Sequence, residues 1–378
     1  MRIENGSVYG PDFRFHETDV EIRDGVFVTD DIVKERIDAS GCYVIPGLVD
    51  IHFHGCLGAD FCDGTPEALR TLAGWEAREG ITAICPATLT LPVEELISIL
   101  ENAASFAAGE KVPQLADLVG INMEGPFISP AKKGAQNGNY IIPCDADICR
   151  DFVNASKGLV KIVGLAPEEN PGFEAYIASV RDLVRVSLAH TNADYDTAAA
   201  AFRAGASHAV HLYNAMPEMT HRSPGVVGAV RDFPEVTAEL ICDGNHVHPS
   251  VVRAAFDMLG AGRIVLISDS LRAAGMGDGI MDLGGQKVEV KGTRATLVEG
   301  GNLAGSVASL RQCLTWCVKE AGIALEDAVR CASANPARVI GIDRSYGSIE
   351  PGKRANALLL DKKDLSLKAV IKDGVRIR

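Results

Sequence analysis

The chain has 378 residues, of which 47% are hydrophobic and 23% are charged, and this composition is typical of a folded globular protein rather than a disordered one. Its formal net charge of −13 argues against a broad surface for nucleic acid or for an anionic membrane. The opening MRIENGSVYG lacks the blocks of a signal peptide, no apolar run is long enough to span a bilayer, and the 10 cysteines are scattered. Together these features predict a protein of the reducing cytoplasm.

Both ends of the chain are predicted to form short strands. Near the N-terminus, VEIRDGVFV alternates apolar and polar residues around Asp24-Gly25. Near the C-terminus, NALLLDKKDLSLKAVIKDGVRI contains two apolar runs and another Asp-Gly pair. Because Asp-Gly between alternating runs is a hairpin signal, we predict a small β-sandwich domain made from residues 1–46 and 343–378.

Between these ends, short apolar runs alternate with helical patterns, as repeated βα units do. The runs are GLVDIH, ITAICPAT, DLVGINME, VKIVGLAP, VRVSLAH, ASHAVHL, TAELICD and RIVLISD. Eight such units predict an α/β fold with a (β/α)8 TIM barrel over residues 47–342. A doubly wound open sheet is the alternative, but no G-x-G-x-x-G motif follows an early strand, which weakens a dinucleotide-binding interpretation.

Imidazole and carboxylate side chains stand where several of these predicted strands end. They are His52, His54, Glu124, His190, His211 and Asp269. Reactive side chains of a barrel lie at the C-terminal ends of its strands, so we expect these six to converge. Alternate residues of a strand point to the same side, which lets His52 and His54 face one point. His208, on the strand that leads to His211, is predicted to pack or to form a structural hydrogen bond.

This set of side chains predicts a catalytic divalent metal. Neutral imidazole and carboxylate suit zinc or iron first, with manganese, cobalt or nickel as further candidates. Such an ion polarises a carbonyl and acidifies water, and a nearby carboxylate can move the proton. Each residue also has a structural explanation when taken singly, since Glu124 could cap a helix and a strand-end histidine is often only hydrogen-bonded. The joint pattern favours the metal.

Several longer sequence motifs resemble those of a known protein family. PGLVDIHFHG, the two later strand-end histidines and SD at 268–269 resemble the amidohydrolase superfamily. Within it, the chain is similar to the N-acetylglucosamine-6-phosphate deacetylases. The strings that carry this similarity are NMEGPFISPAKKGAQN, GLAPE, LAHTNAD, HLYNAMPEMTHRSPGVVGA, DGNHVHP, SDSLRAAGMGDG and GNLAGS, and they occur in this order.

The resemblance implies hydrolysis of the acetamide of N-acetyl-D-glucosamine 6-phosphate to D-glucosamine 6-phosphate and acetate, in amino-sugar catabolism and cell-wall recycling. It also implies that Glu124, His190 and His211 bind the main metal and that Asp269 is the catalytic acid and base. The resemblance further implies that His246 contacts the sugar amide and shares in catalysis.

The number of metal ions differs within the family that the chain resembles. Some members replace the two histidines of the first strand and hold one metal, whereas others keep them and hold two. This chain keeps His52 and His54, so we expect one or two ions per subunit, with Asp269 as a further ligand.

The resemblance further implies the residues that hold the phosphorylated sugar. Asn214, Ala215 and Arg222 would hold the phosphate, and further contacts would come from Gln136, Ala135 and Leu303. In relatives the arginine comes from the neighbouring subunit, which implies a homodimer with shared sites. Gln136 stands where some members have histidine, so it can hydrogen-bond a sugar hydroxyl or phosphate but carries no charge.

Three other functions stay open at this point. N-acetylgalactosamine-6-phosphate deacetylation differs by one hydroxyl epimer. A cyclic amidohydrolase or deaminase is less favoured, because the predicted fourth strand ends in GLAPE without the lysine such sites often use. A non-catalytic metal or sugar-phosphate binding protein could share the barrel. Release of acetate by the metal-loaded protein separates these functions.

Overall fold

The computed structural model describes residues 1–29, 35–109 and 111–378. Residues 30–34, which fall within the predicted N-terminal segment 1–46, and residue 110 lie outside the described residues. Within the described ranges, no helix combines the length and the apolar character that crossing a membrane requires.

The bounds of the elements follow the chain. The strands are β1 (Arg2–Glu4), β2 (Ser7–Tyr9), β3 (Phe15–Glu17), β4 (Val20–Arg23), β5 (Val26–Val28), β6 (Arg36–Asp38), β7 (Cys42–Pro46), β8 (Leu48–Asp50), β9 (Gly55–Cys56), β10 (Ala59–Asp60), β11 (Ile81–Ile84), β12 (Asp117–Leu118), β13 (Ile121–Met123), β14 (Val160–Leu165), β15 (Arg185–Leu188), β16 (His208–Ala209), β17 (Thr237–Ile241), β18 (Ile264–Ile267), β19 (Gly279–Leu283), β20 (Gln286–Lys291), β21 (Arg294–Leu297), β22 (Ala357–Asp361), β23 (Leu367–Lys372) and β24 (Val375–Arg376). The α-helices are α1 (Pro66–Glu79), α2 (Val93–Ala107), α3 (Ala146–Ala155), α4 (Phe173–Val180), α5 (Tyr195–Ala204), α6 (Gly225–Asp232), α7 (Pro249–Leu259), α8 (Leu310–Lys319), α9 (Leu325–Ala332) and α10 (Ala334–Val339).

A ring of parallel strands forms the barrel, and every predicted apolar run contributes to it. The ring runs from β8 through β11 and β12 to β13, β14, β15, β16, β17 and β18. It closes where the Asp269 N–H donates to the His52 carbonyl at 2.9 Å. The predicted TIM barrel is therefore confirmed. One difference concerns the third run, which is split: β12 pairs with β11, whereas β13 pairs with β14.

The barrel strands are apolar almost throughout because both of their faces are buried. Along β8 and just beyond it, neighbouring residues join different apolar clusters. Leu48 packs in the cluster that includes residues of α1 and α2, whereas Val49 and Ile51 pack in another that includes Ile267. Polar side chains are therefore excluded from most of each strand and collect at its end.

The first barrel helix shows how local sequence sets the boundaries of an element. Thr65 accepts a hydrogen bond from the Ala68 N–H, and Pro66 begins α1, so the helix starts with a side-chain cap and a residue without an N–H to satisfy. Gly80 ends it with a φ of 91°. A Cβ at Gly80 would lie 2.2 Å from Leu358 Cδ2, so glycine permits both the turn and close packing against the terminal strands.

Both chain ends form sheets beside the barrel. One sheet has the order β5-β4-β1-β6 and the other β24-β23-β22-β7-β2-β3, and apolar side chains of the two sheets share one cluster. The chain passes from this unit into the barrel at Gly47, between β7 and β8.

The two predicted hairpin turns are confirmed. Asp24 and Gly25 have φ values of 50° and 79°, and Asp373 and Gly374 have φ values of 51° and 74°. Positive φ at both central residues is the conformation that favours Asp-Gly in two-residue hairpins. Each turn joins antiparallel neighbours, β4 with β5 and β23 with β24.

An antiparallel sheet of β19, β20 and β21 follows the last barrel strand and was not predicted. Its strands lie in GIMDLGGQKVEVKGTRATL, where apolar residues are sparse because one face is open to solvent. Leu283 of β19 lines the cavity described below, and Gln286 of β20 donates a side-chain hydrogen bond to the Ala135 carbonyl. This sheet therefore covers one side of the barrel mouth.

Candidate metal centre and active site

The structure brings the predicted strand-end residues into one buried cluster at the mouth of the barrel. Glu124 lies at its centre, just after β13. Its Oε1 atom is 3.2 Å from His52 Nε2, 3.0 Å from His190 Nε2 and 3.0 Å from His211 Nε2. Asp269 is 7% exposed and stands beside this group. Residues at the ends of four other barrel strands therefore surround the Glu124 carboxylate.

Three of these residues occupy an unusual backbone conformation. His190, His211 and Asp269 have φ values of 43°, 27° and 49°, in the left-handed region that non-glycine residues rarely adopt. Each stands immediately or shortly beyond the end of a barrel strand, so the turn directs its side chain toward the centre of the mouth. Such conformations persist only where surrounding structure imposes them, and they cluster at functional sites.

The hydrogen bonds of His190 and His211 place a proton on Nδ1, so Nε2 is the nitrogen left to bind a cation. The His190 Nδ1–H donates to the Lys132 carbonyl at 2.8 Å, and the His211 Nδ1–H donates to the Asn214 carbonyl at 3.1 Å. The two Nε2 atoms then face each other at 3.2 Å and both face the Glu124 carboxylate. Three acceptors that point at one another fit a cation, and the donor set of two imidazoles and a carboxylate suits zinc or iron.

A second group of metal-ligating type shares the same carboxylate. The side chains of His52, His54 and Glu124 offer ligand atoms within 4.8 Å of one another, as do those of Glu124, His190 and His211. His54 Nε2 lies 3.3 Å from Glu124 Oε2 and 3.3 Å from Asp269 Oδ1. His52 Nε2 is buried and has no hydrogen-bond partner among the described residues. The residues present could therefore supply ligands to two neighbouring cations, and Glu124 is common to both groups.

The carboxylates of the cluster are ionised. Burial raises the pKa of the Glu124 carboxyl, but the His52 and His190 imidazoles outweigh burial and hold that pKa well below its usual range. For Asp269, burial acts in the same direction and the hydrogen bond from His54 outweighs it, so its pKa is also lowered. Burial lowers the pKa of His54, yet Asp269 and Glu124 raise it to about 10. The two carboxylates need a compensating positive charge. It can come from protons on the imidazoles or from a bound cation that displaces those protons.

Gln136 has a different environment from the one expected. Its side-chain Nε2 donates to Glu124 Oε2 at 2.6 Å, and its Oε1 accepts from the Thr90 N–H at 2.7 Å. Both polar ends of this buried amide are therefore occupied within the protein. Gln136 holds the Glu124 carboxylate in place, a role that was not expected. It also lines the cavity described below, so its contact with the sugar stays a prediction.

A cavity of about 400 Å³ opens above the cluster, large enough for a small ligand. Most of the predicted site residues line it. They are His54, Glu124, Ala135, Gln136, His190, His211, Asn214, Ala215, His246, Asp269 and Leu303. His52 is fully buried beneath the cavity floor. Arg222 is exposed and is not among the lining residues of its own chain.

His246 is held by a carboxylate that the sequence analysis did not assign. Asp243 Oδ2 accepts from His246 Nδ1 at 2.8 Å, and Asp243 Oδ1 accepts from the His246 backbone N–H at 2.9 Å. Burial lowers the pKa of His246, but the Asp243 hydrogen bond outweighs burial and raises it. Both residues occur in DGNHVHP, so a carboxylate three residues before a site histidine was the available signal.

Glu239 is the second residue that sequence reasoning missed. It lies inside β17, is fully buried, and accepts a hydrogen bond from His52 Nδ1 at 2.8 Å. The available signal was a glutamate in the middle of TAELICD, an otherwise buried run, since a buried charge needs polar partners. His208 forms a hydrogen bond as predicted, and its partner is this glutamate.

Comparison with known proteins agrees with this geometry. The chain is 37% identical over 328 residues to an N-acetylglucosamine-6-phosphate deacetylase of Bacillus subtilis, covering 86% of this chain and 83% of that protein. It is 34% identical over 343 residues to an N-acetylgalactosamine-6-phosphate deacetylase of Escherichia coli O157:H7, covering 90% of each.

A solved structure resembles the whole chain. It is N-acetyl-D-glucosamine-6-phosphate deacetylase of Mycobacterium smegmatis in complex with N-acetyl-D-glucosamine-6-phosphate. The two superpose with a TM-score of 0.91 at 30% identity, covering 100% of this chain and 98% of that one. The model of the amidohydrolase family matches residues 43–377. The chain, with its metal-ligating cluster at the mouth of a TIM barrel, therefore belongs to the amidohydrolase family.

Proposed function

We propose that this protein hydrolyses the acetamide of N-acetyl-D-glucosamine 6-phosphate to D-glucosamine 6-phosphate and acetate, a step of amino-sugar catabolism. The observation that carries the proposal is the convergence of Glu124, His190, His211 and Asp269 at the floor of a sugar-sized cavity. The names of the relatives support the substrate class. N-acetylgalactosamine 6-phosphate is the second candidate, supported by the Escherichia coli relative.

The proposed metal centre uses both groups of ligands. Glu124, His190 and His211 would hold one divalent cation, and His52, His54 and the same Glu124 a second, with Asp269 beside them. Zinc and iron suit this donor set best. When bound, such a cation supplies Lewis-acid polarisation of the acetamide carbonyl and lowers the pKa of water.

In the proposed reaction Asp269 moves the proton. Its ionised carboxylate accepts a proton from the attacking water as the water oxygen forms a bond to the acetamide carbon. The carbon–nitrogen bond then breaks while Asp269 returns the proton to the nitrogen, so the products are the amine and acetate. Asp269 lines the cavity and lies 3.3 Å from His54, which places its carboxylate beside the cluster.

His246 is proposed to stabilise the charge that develops on the carbonyl oxygen. Asp243 accepts the Nδ1–H and raises the pKa of His246, so the ring can carry a second proton on Nε2, the nitrogen that it presents to the cavity. A donor fixed in place before the reaction needs little reorganisation as the oxyanion forms. Asp243 acts through His246 and is a positioning residue.

Replacement of Asp243 by asparagine is expected to lower kcat by about 100-fold with little change in KM. The asparagine amide can donate to Nδ1, which favours the ring tautomer with its proton on Nε2 but weakens the positive charge there. Steady-state kinetics with metal content measured on the same sample check this. His248→Gln alters a nearby histidine that caps α7, and this control should keep wild-type kcat. Wild-type kcat in the Asp243→Asn variant would contradict the assignment.

The proposed active form is a homodimer with shared sites. Arg222 lies outside the cavity of its own chain, and the same loop exposes Met219, which is 52% exposed. A guanidinium offers paired donors to phosphate oxygens. We propose that Arg222 reaches the cavity of the partner subunit and, with Asn214 and Ala215, holds the phosphate.

Arg222→Met is expected to raise KM for the phosphorylated sugar by about 10- to 100-fold, the effect of one hydrogen bond to a charged group. The slow reaction of the unphosphorylated sugar should not change. Mixing Arg222→Met chains with inactive Asp269→Asn chains should restore activity, because a mixed dimer has one complete site. Without such restoration, Arg222 does not act across subunits.

The experiment that tests the proposed function is an acetate-release panel with metal-loaded protein. The substrates are N-acetylglucosamine 6-phosphate, N-acetylgalactosamine 6-phosphate, unphosphorylated N-acetylglucosamine and a cyclic amide. We expect fast turnover of the phosphorylated sugars with the gluco epimer preferred, slow turnover of the unphosphorylated sugar and none of the cyclic amide. Equal efficiency without phosphate, or hydrolysis of the cyclic amide alone, would overturn the proposal. A cytoplasmic location is part of it, because all ten cysteines are free, as a reducing compartment permits.

A further inference from the structure

We infer that Glu239, inside barrel strand β17, is a positioning residue that fixes the ring of His52 as a ligand for the second cation. The inference deepens the proposed metal centre and rests on it. It concerns a residue that touches neither the cavity nor the cation, so it acts only through the histidine it holds.

Glu239 is surrounded by hydrogen-bond donors. Its Oε2 atom accepts from His52 Nδ1 at 2.8 Å and from the His211 backbone N–H at 3.1 Å. Its Oε1 atom lies 3.1 Å from His208 Nε2. The side chain is fully buried. A buried carboxylate with three donors is well satisfied, and its geometry leaves little freedom for the rings around it.

This arrangement determines which nitrogen of His52 is available. Because Glu239 accepts at Nδ1, the proton stays there and Nε2 is the atom that can ligate. His52 Nε2 points at the shared carboxylate, 3.2 Å from Glu124 Oε1 and 3.8 Å from Asp269 Oδ1. A carboxylate on the far nitrogen of a metal-binding histidine sets the tautomer, orients the ring and increases the basicity of the ligand.

His208 holds Glu239 from the other side. The Thr237 hydroxyl lies 2.7 Å from His208 Nδ1 and can donate to it, so the ring donates from Nε2 to Glu239. Burial lowers the pKa of His208, which leaves a neutral ring with a single N–H for this purpose. The chain of hydrogen bonds from Thr237 through His208 and Glu239 to His52 is therefore continuous. His208, Glu239 and His52 are fully buried, and Thr237 is partly exposed.

Glu239 also joins the two proposed cation sites. It accepts from the ring of His52, a ligand of the second site, and from the backbone of His211, a ligand of the first. The His211 ring, however, is oriented by a separate bond to the Asn214 carbonyl. Loss of Glu239 should therefore affect the second cation far more than the first.

The test measures zinc content and zinc affinity of the full-length protein without substrate. We expect the wild type to hold two zinc ions per chain. Glu239→Gln keeps a carbonyl oxygen for His52 but loses the charge, and should weaken the second ion about tenfold. Glu239→Met removes the acceptor and should weaken it about 100-fold, the upper range for outer-shell partners of metal ligands. The first ion should change far less in both variants.

Two controls separate positioning from general damage. Glu76→Gln changes another fully buried glutamate, on α1, whose oxygens have no hydrogen-bond partner among the described residues; it should keep two zinc ions. His52→Asn removes the ligand itself and should weaken the second ion at least as much as Glu239→Met. The double variant should lose no more than His52→Asn alone, because both residues act through one ring. In nitrogen NMR spectra of the zinc protein, the His52 Nδ1–H signal should be present in the wild type and altered in Glu239→Met.

Three results would overturn the inference: two zinc ions bound to Glu239→Met with wild-type affinity, loss of both ions from Glu239→Gln, or a wild type that holds one ion at saturation. Failure of the proposed function is a separate result. Two bound zinc ions without acetate release would overturn the deacetylase assignment alone, whereas acetate release with a single bound ion would overturn the role of Glu239 alone.

Discussion

Asp269→Asn is expected to abolish acetamide hydrolysis, with kcat lowered at least about 1,000-fold, while substrate binding largely survives. The amide cannot accept a proton from water or return one to the amine, which would otherwise be a poor leaving group. The substitution keeps the size and shape of the side chain, so the cavity that Asp269 lines should retain its form. Loss of kcat without loss of affinity is the pattern of a group that acts in the transition state.

The measurement for Asp269→Asn combines single-turnover acetate release with substrate binding by calorimetry. Zinc content must be measured on the same sample, because Asp269 lies beside His54 and is a candidate ligand. Asp63→Asn makes the same chemical change on the surface of the rim, where Asp63 pairs with Arg272 at 2.9 Å, and should leave kcat unchanged. An Asp269→Asn variant that binds zinc normally and still turns over would remove Asp269 from the proton-transfer role.

Glu124→Gln is expected to remove both cations and, with them, all activity. A single carboxylate serves both groups of ligands, with Oε1 facing His190 and His211 and Oε2 facing His54. The neutral amide loses the negative charge and places an N–H₂ group where one ligand oxygen was. Removal of a ligand shared by both sites should therefore lower zinc affinity at each by more than the 10- to 100-fold expected for an outer-shell residue.

Zinc analysis after dialysis against a chelator checks the Glu124 prediction. Wild-type protein stripped in this way should lose activity and regain it when zinc is returned, whereas Glu124→Gln should regain none. Glu169→Gln is the matched control, because that exposed carboxylate accepts a hydrogen bond from the Ser129 hydroxyl on the rim. This variant should retain two ions. Two zinc ions bound to Glu124→Gln would show that the cluster does not depend on the shared carboxylate.

Much of the fold was predictable because burial determines the local pattern of apolar residues in the sequence. Barrel strands are buried on both faces, so each appears as an apolar run, and each run ends where the chain reaches the polar mouth. His190 and Asp269 could be assigned to the mouth on this basis alone. The Asp-Gly hairpins were predictable for a similar reason, since their φ values depend on two adjacent residues. The β19–β21 sheet shows no continuous apolar run, because its strands are half exposed and, in β20 and β21, buried residues alternate with more exposed ones.

The partners of the site residues could not be predicted. Gln136 stands in a loop and lines the cavity as expected, but its amide also holds Glu124, which was not expected. No role was predicted for Asp243 or Glu239, although each orients a site histidine. In all three cases the residue type allows several partners, and the choice among them depends on which side chains the finished barrel brings within hydrogen-bond distance.

The sequence by itself determined which imidazoles and carboxylates stand at the strand ends, because apolar periodicity reflects burial within a few neighbouring residues. Only the tertiary structure decided that Glu239 supports His52, 187 positions away, and that Glu124 lies between two groups of ligands. Those contacts depend on the order and stagger of the strands around the closed barrel. The residue pattern of one strand does not specify which strands lie beside it.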